Sequence, residues 1–162
     1  MAGKKILVAA VPSGQYIAQK ALAGKFDLLF ASTLREAQQL LKDSHIAEPE
    51  PRSGFDLVIC SVHFDDSRMF ELLQHIRTVD HYDKLPFLVI TTLPAALPLE
   101  HTTKNSAEML GAYGFLELHS LPKDLALRLL DEAVEDGLVF GRSVKSERID
   151  SAKLQKGDPQ SI

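Results

Sequence analysis

The residues able to do chemistry in this chain of 162 amino acids fall mainly in two short stretches. Ser61, His63, Asp65 and Asp66 follow an apolar run ending at Cys60, and His119 follows a second run ending at Leu118. Two imidazoles and two carboxylates form a donor set that zinc or a similar ion accepts. Their spacing along the chain matches no established metal motif. Ser61 lacks the glycine–x–serine–x–glycine elbow that would present its hydroxyl as a nucleophile. Cys60 is the sole cysteine, which excludes an internal disulfide and suits a reducing compartment. It reads as a small buried hydrophobe. Gly14 closes the segment Ala10-Val11-Pro12-Ser13-Gly14 after a strand-like run, but one glycine does not make a phosphate-cradling loop. A flavin or nucleotide site would rest on fold analogy alone. Asp66 or Ser67 is expected to cap the helix that follows, where an acid also suits the helix dipole.

Five apolar runs of strand length must position these residues: Ile6–Ala10, Phe26–Ala31, Leu57–Cys60, Phe87–Ile90 and Phe115–Leu118. Helical segments separate them. One is expected over 15–23, ended by Gly24. A second opens at Thr33-Leu34-Arg35-Glu36, a capping box in which hydroxyl and carboxylate each satisfy a free amide. Pro49, Pro51 and Gly54 mark 42–54 as a loop. Met69, Leu72, Leu73 and Ile76 give a third helix. Pro94 and Pro98 delay the fourth to about 100–110. The fifth follows Pro122 and stops at Gly137. Strands alternating with helices imply a parallel sheet covered on both faces, which explains why the runs are solidly apolar. In such sheets a site forms beyond the carboxyl ends of the strands. One domain over 1–138 is expected, with 139–162 a tail that is either a short helix or disordered. Val144, Ile149 and Leu154 recur at intervals of five and hold no coiled-coil stripe.

A net charge of −4 with no basic face gives no pull toward nucleic acid. No run approaches the ~20 apolar residues of a membrane span. Lys4-Lys5 followed by Ile6 to Val11 imitates a signal peptide but falls short of its apolar stretch of about 7–15 residues. A cytoplasmic protein is expected.

Four strings in order resemble the receiver domain of two-component response regulators. They are Phe55-Asp56-Leu57-Val58-Ile59-Cys60-Ser61, Phe70-Glu71-Leu72-Leu73-Gln74-His75-Ile76-Arg77, Leu85-Pro86-Phe87-Leu88-Val89-Ile90-Thr91 and Gly111-Ala112-Tyr113-Gly114-Phe115-Leu116. The likeness covers roughly residues 4–137. It implies a flavodoxin-like, CheY-like three-layer α/β/α sandwich with strand order 2-1-3-4-5 and five helices. It also implies a phosphoacceptor pocket, and there the chain departs from the pattern. The acidic positions that hold magnesium fall on Ala9 and Ala10. The phosphoacceptor aspartate falls on Ser61, the lysine on Leu118 and the proline after it on His119. Thr91 keeps the hydroxyl, while the aromatic switch position is Phe115, without a tyrosine hydroxyl.

Two methyl groups offer magnesium no oxygen. Aspartyl phosphorylation needs a carboxylate nucleophile and cations to take up the charge of the transferred phosphoryl. The resemblance therefore implies a receiver frame without its chemistry: no enzyme, no cofactor, and function through a protein partner. The face formed by residues 100–136 is the expected contact surface, with an isologous homodimer through it as a further expectation. The alternative is a small-ligand or metal-binding domain on the same frame, using the edge formed by His63, Asp65 and His119.

Overall fold

A computed structural model describes residues 4–47, 54–79, 84–94 and 97–140. The expected tail lies outside these residues beyond Phe140, as do 48–53 of the expected loop over 42–54 and residues 95–96. The strands are β1 (Lys5–Ala9), β2 (Asp27–Ala31), β3 (Leu57–Ser61), β4 (Phe87–Thr91) and β5 (Gly114–Glu117). They form one parallel sheet in the order β2-β1-β3-β4-β5. The helices are α1 (Pro12–Leu22), α2 (Leu34–Ala47), a four-residue turn α3 (Phe64–Ser67), α4 (Met69–Thr78), α5 (Leu97–Met109) and α6 (Lys123–Phe140).

Side-chain alternation along the strands divides the core in two. Leu7, Ala9, Val58, Cys60, Phe87 and Val89 face one side, under Leu41 of α2, Leu72 and Ile76 of α4 and Ala107 of α5. Ile6, Val8, Ala10, Ile59, Leu88 and Ile90 face the other, under Ala18 and Leu22 of α1 and Leu130 and Val134 of α6. The three central strands are almost wholly buried, as continuous apolar runs require.

Several element ends differ from the sequence-based expectation, each for a local reason. Pro12 starts α1 rather than closing a loop, because a proline at the first helical position gives up an amide that has no partner there. Pro98 lies in the first turn of α5 for the same reason, so that helix begins at Leu97. Helix α2 runs to Ala47, into the segment expected as loop. Gly137 does not stop α6. A Cβ there would stand 2.7 Å from Leu57 Cδ1, so this glycine lets the helix press onto the sheet.

The turn α3 is a sixth helical segment where five were expected. Asp65 (φ 46, ψ 62), Asp66 (φ 57, ψ 45) and Ser67 (φ 66) are all left-handed. Each such residue costs about 1–2 kcal/mol. Buried Phe64 anchors the turn, and the Arg68 amide donates to Phe64 O at 2.7 Å.

Candidate functional site

The carboxyl edge of the sheet is where this topology would carry a site, at the switch point between β1 and β3. That crevice is closed. Ser61 is 1% exposed, and its Oγ accepts a hydrogen bond from the Val11 amide at 3.1 Å. The bond ties the end of β3 to the start of α1, straight across the switch point. Gly14, one turn into α1, lies so close that an added Cβ would stand 2.9 Å from Ala10 Cβ and 3.6 Å from Ser61 Cβ. The first turn of α1 therefore occupies the volume in front of Ser61.

The surrounding positions are equally apolar or engaged. Ala9 and Ala10 are buried, and Leu118 belongs with Ala10, Ile90 and Ala126 to the core beneath α1 and α6. The Leu118 side chain thus packs as core. Thr91 is buried, and its hydroxyl donates to Leu93 O at 3.0 Å. Phe115 packs against the core under α4 and α5. Cys60 is buried, and desolvation raises its thiol pKa well above the usual value, leaving it protonated.

The His63, Asp65, Asp66 and His119 edge does not assemble. Among the described residues no three His, Cys, Asp or Glu side chains stand together as a metal site. Asp65 turns to the start of α2, where its Oδ2 accepts the Leu34 amide at 2.7 Å. Arg68 Nε lies 3.8 Å from the same oxygen. His119 lies in the turn after β5, its amide donating to Thr91 O at 3.1 Å.

The expected capping of α4 by Asp66 or Ser67 does not occur. Arg68 is the N-cap and makes no side-chain capping bond, and the left-handed turn leaves Asp66 and Ser67 exposed. The capping box of α2 forms with one bond shifted: Thr33 Oγ1 accepts the Glu36 amide at 3.1 Å, while Glu36 Oε1 reaches past the Thr33 amide to accept that of Ser32 at 2.8 Å. Asp65 satisfies a third amide of that helix start. No local pattern signals it, since donor and acceptor lie 31 residues apart. Gln15 was also missed. It seals the β1/β2 side of the edge, donating to Ala10 O at 2.9 Å and Ser32 Oγ at 3.1 Å.

No family model matches the sequence, and no curated protein matches it. Solved structures do. The phosphorylated cyanobacterial phytochrome response regulator RcpA is 18% identical with a TM-score of 0.62, over 86% of this chain and 96% of that one. The Mn2+-bound form of response regulator Rcp1 is 19% identical with a TM-score of 0.61, over 87% and 96%. Chemotaxis response regulator CheY4 of Vibrio cholerae is 20% identical with a TM-score of 0.58, over 82% and 99%. The chain is a doubly wound parallel α/β protein with the CheY-like fold of response-regulator receiver domains. Among the described residues no helix is long and apolar enough to cross a membrane.

Proposed function

We propose that this chain is a receiver-like signalling module that works without phosphorylation and without catalysis, by contact with a protein partner. The observation that carries the reading is the packed edge: Ala9, Ala10 and Leu118 buried, and the Ser61 hydroxyl bonded to the Val11 amide beneath α1. A phosphoryl donor would need a nucleophile, a metal and a cation at that place. Replacing all three kinds of group by methyls, a bonded hydroxyl and a core leucine leaves the frame and removes the reaction. Two neighbours in fold are described as phosphorylated RcpA and Mn2+-bound Rcp1. By the resemblance, this chain has alanines where such a metal would find its acidic ligands.

With the edge closed, function moves to the surface. The face over residues 100–136 is the proposed contact, and Met109 (86% exposed) and Leu110 (37% exposed) at the end of α5 give it apolar anchors. The test is affinity capture with the full chain from its native source, beside a metabolite screen. A specific partner whose binding is weakened by Met109→Asp supports the reading. No partner together with a saturable small-molecule ligand refutes it.

A further inference from the structure

The turn α3 holds three consecutive residues, Asp65, Asp66 and Ser67, at φ 46, 57 and 66, and none of them is glycine. An L-residue in that region presses its Cβ toward the following carbonyl, so single left-handed residues occur and runs are avoided. Three in a row make a left-handed helical turn, closed by the Arg68 amide donating to Phe64 O at 2.7 Å. Its right-handed counterpart closes the same bond between the same two residues, without the strain at Cβ. Either hand spans the gap from Phe64 to Arg68, and the chain stands in the costlier one.

Tertiary contacts hold it there. Asp65 Oδ2 accepts the Leu34 amide at 2.7 Å, across 31 positions of sequence. Before the turn, the Val62 amide is fixed on Ile90 O at 3.0 Å and Phe64 is wholly buried. After it, Met69 is buried at the start of α4. Between these anchors Asp66, Ser67 and Arg68 are exposed. Arg68 lies 3.8 Å from Asp65 Oδ2 and 3.0 Å from Glu71 Oε1, surface ion pairs that add little. One part-buried hydrogen bond is thus the main polar tie set against the strain of three residues. The right-handed turn has attractions of its own. It would run on into α4, whose first turn has no side-chain cap, and bring Asp65 and Asp66 to the positive end of that helix. Arg68, at φ −97 and ψ 22, already stands in the bridge region beside the right-handed helix.

We propose that residues 64–68 form a two-state latch. Closed, as in this structure, the turn is left-handed and the Asp65 carboxylate holds the start of α2. Open, residues 65–67 become right-handed, α4 gains a turn at its amino end, and the Leu34 amide is released to water. The latch couples the starts of α2 and α4, two helices over the same face of the sheet. A ligand that grips the exposed residues 66–68 in one hand only would shift the start of α2 with it.

The isotope-labelled full chain reports the hand through the amide-to-Hα NOE within each residue, which is strong where φ is positive. Relaxation dispersion reports exchange on the microsecond-to-millisecond scale. Strong NOEs are expected at Asp65, Asp66 and Ser67, with exchange at these residues and at Leu34 fitting one process. Asp65→Ala removes the acceptor and should raise the open fraction about fivefold or more. Asp66→Gly, at ease in the left-handed region, should lower it about fivefold, and in the Asp65→Ala background it should restore the closed hand. Three results would each overturn the latch: right-handed residues 65–67 in the parent chain, flat dispersion in both the parent and Asp65→Ala, or exchange at 65–68 that Leu34 does not share. None of these readouts needs a partner, so the latch and the partner reading stand or fall separately.

Discussion

Gly14→Ala probes the closed edge through stability alone. Gly14 is the third residue of α1, and its new methyl would meet Ala10 Cβ at 2.9 Å, with Ser61 Cβ and Ile90 Cδ1 each at 3.6 Å. In an ordinary helix this substitution gains up to about 1 kcal/mol, since alanine loses less entropy than glycine on folding. Here the gain is opposed by overpacking, which costs about 1–3 kcal/mol. The contact falls at the severe end of that range, because Ala10 Cβ is fixed to the strand backbone and has no rotamer to retreat into. The net expectation is a loss of ~1–2 kcal/mol, read as a lower urea midpoint with an unchanged slope. Removing the obstructing methyl should recover stability, so the Ala10→Gly/Gly14→Ala pair is expected to couple favourably by about 1 kcal/mol or more. A rise in midpoint for Gly14→Ala, with no coupling to Ala10→Gly, would mean that α1 does not sit on the pocket and that the edge is open.

Asp65→Ala removes the acceptor of the Leu34 amide and is expected to cost about 0.5–2 kcal/mol in chemical unfolding, with Asp65→Asn costing less. Asp66→Gly relieves a left-handed residue at φ 57 and should stabilise by up to about 1 kcal/mol in the same assay. Cys60 should resist a disulfide reagent at neutral pH in the native chain and react once denaturant exposes it. Burial lowers the His75 pKa from the usual 6.5, so the unfolded chain takes up that proton first as the pH falls. Stability contributed by neutral His75 is therefore present above pH 6.5 and lost as the pH drops below it, and His75→Gln should flatten that part of the stability curve.

The fold was legible because short, largely apolar runs alternate with helix-period segments, the pattern of a parallel sheet buried on both faces. The capping box at Thr33 was legible for the same kind of reason, since its two bonds lie within a few residues. Helix ends were misread where one residue type serves two roles. Pro12 and Pro98 begin helices as readily as they end loops, and Gly137 is small for packing rather than for turning. The composition of the sheet edge was readable from Ala9, Ala10, Ser61 and Leu118. Its closure was not, because it depends on the Val11 amide and the approach of Gly14, which are set by tertiary packing. The misplaced expectation at Asp65 has the same origin: a carboxylate beside one helix start caps another, 31 positions back along the chain.

The claim that this frame no longer runs phosphoryl chemistry is tested most directly by adding magnesium and beryllofluoride, a mimic of the bound phosphoryl group, to the isotope-labelled full chain. The amide spectrum is expected to stay unchanged at Ala9, Ala10, Ser61, Thr91 and Leu118. Saturable, magnesium-dependent shifts centred on Ser61 and Thr91 would contradict it.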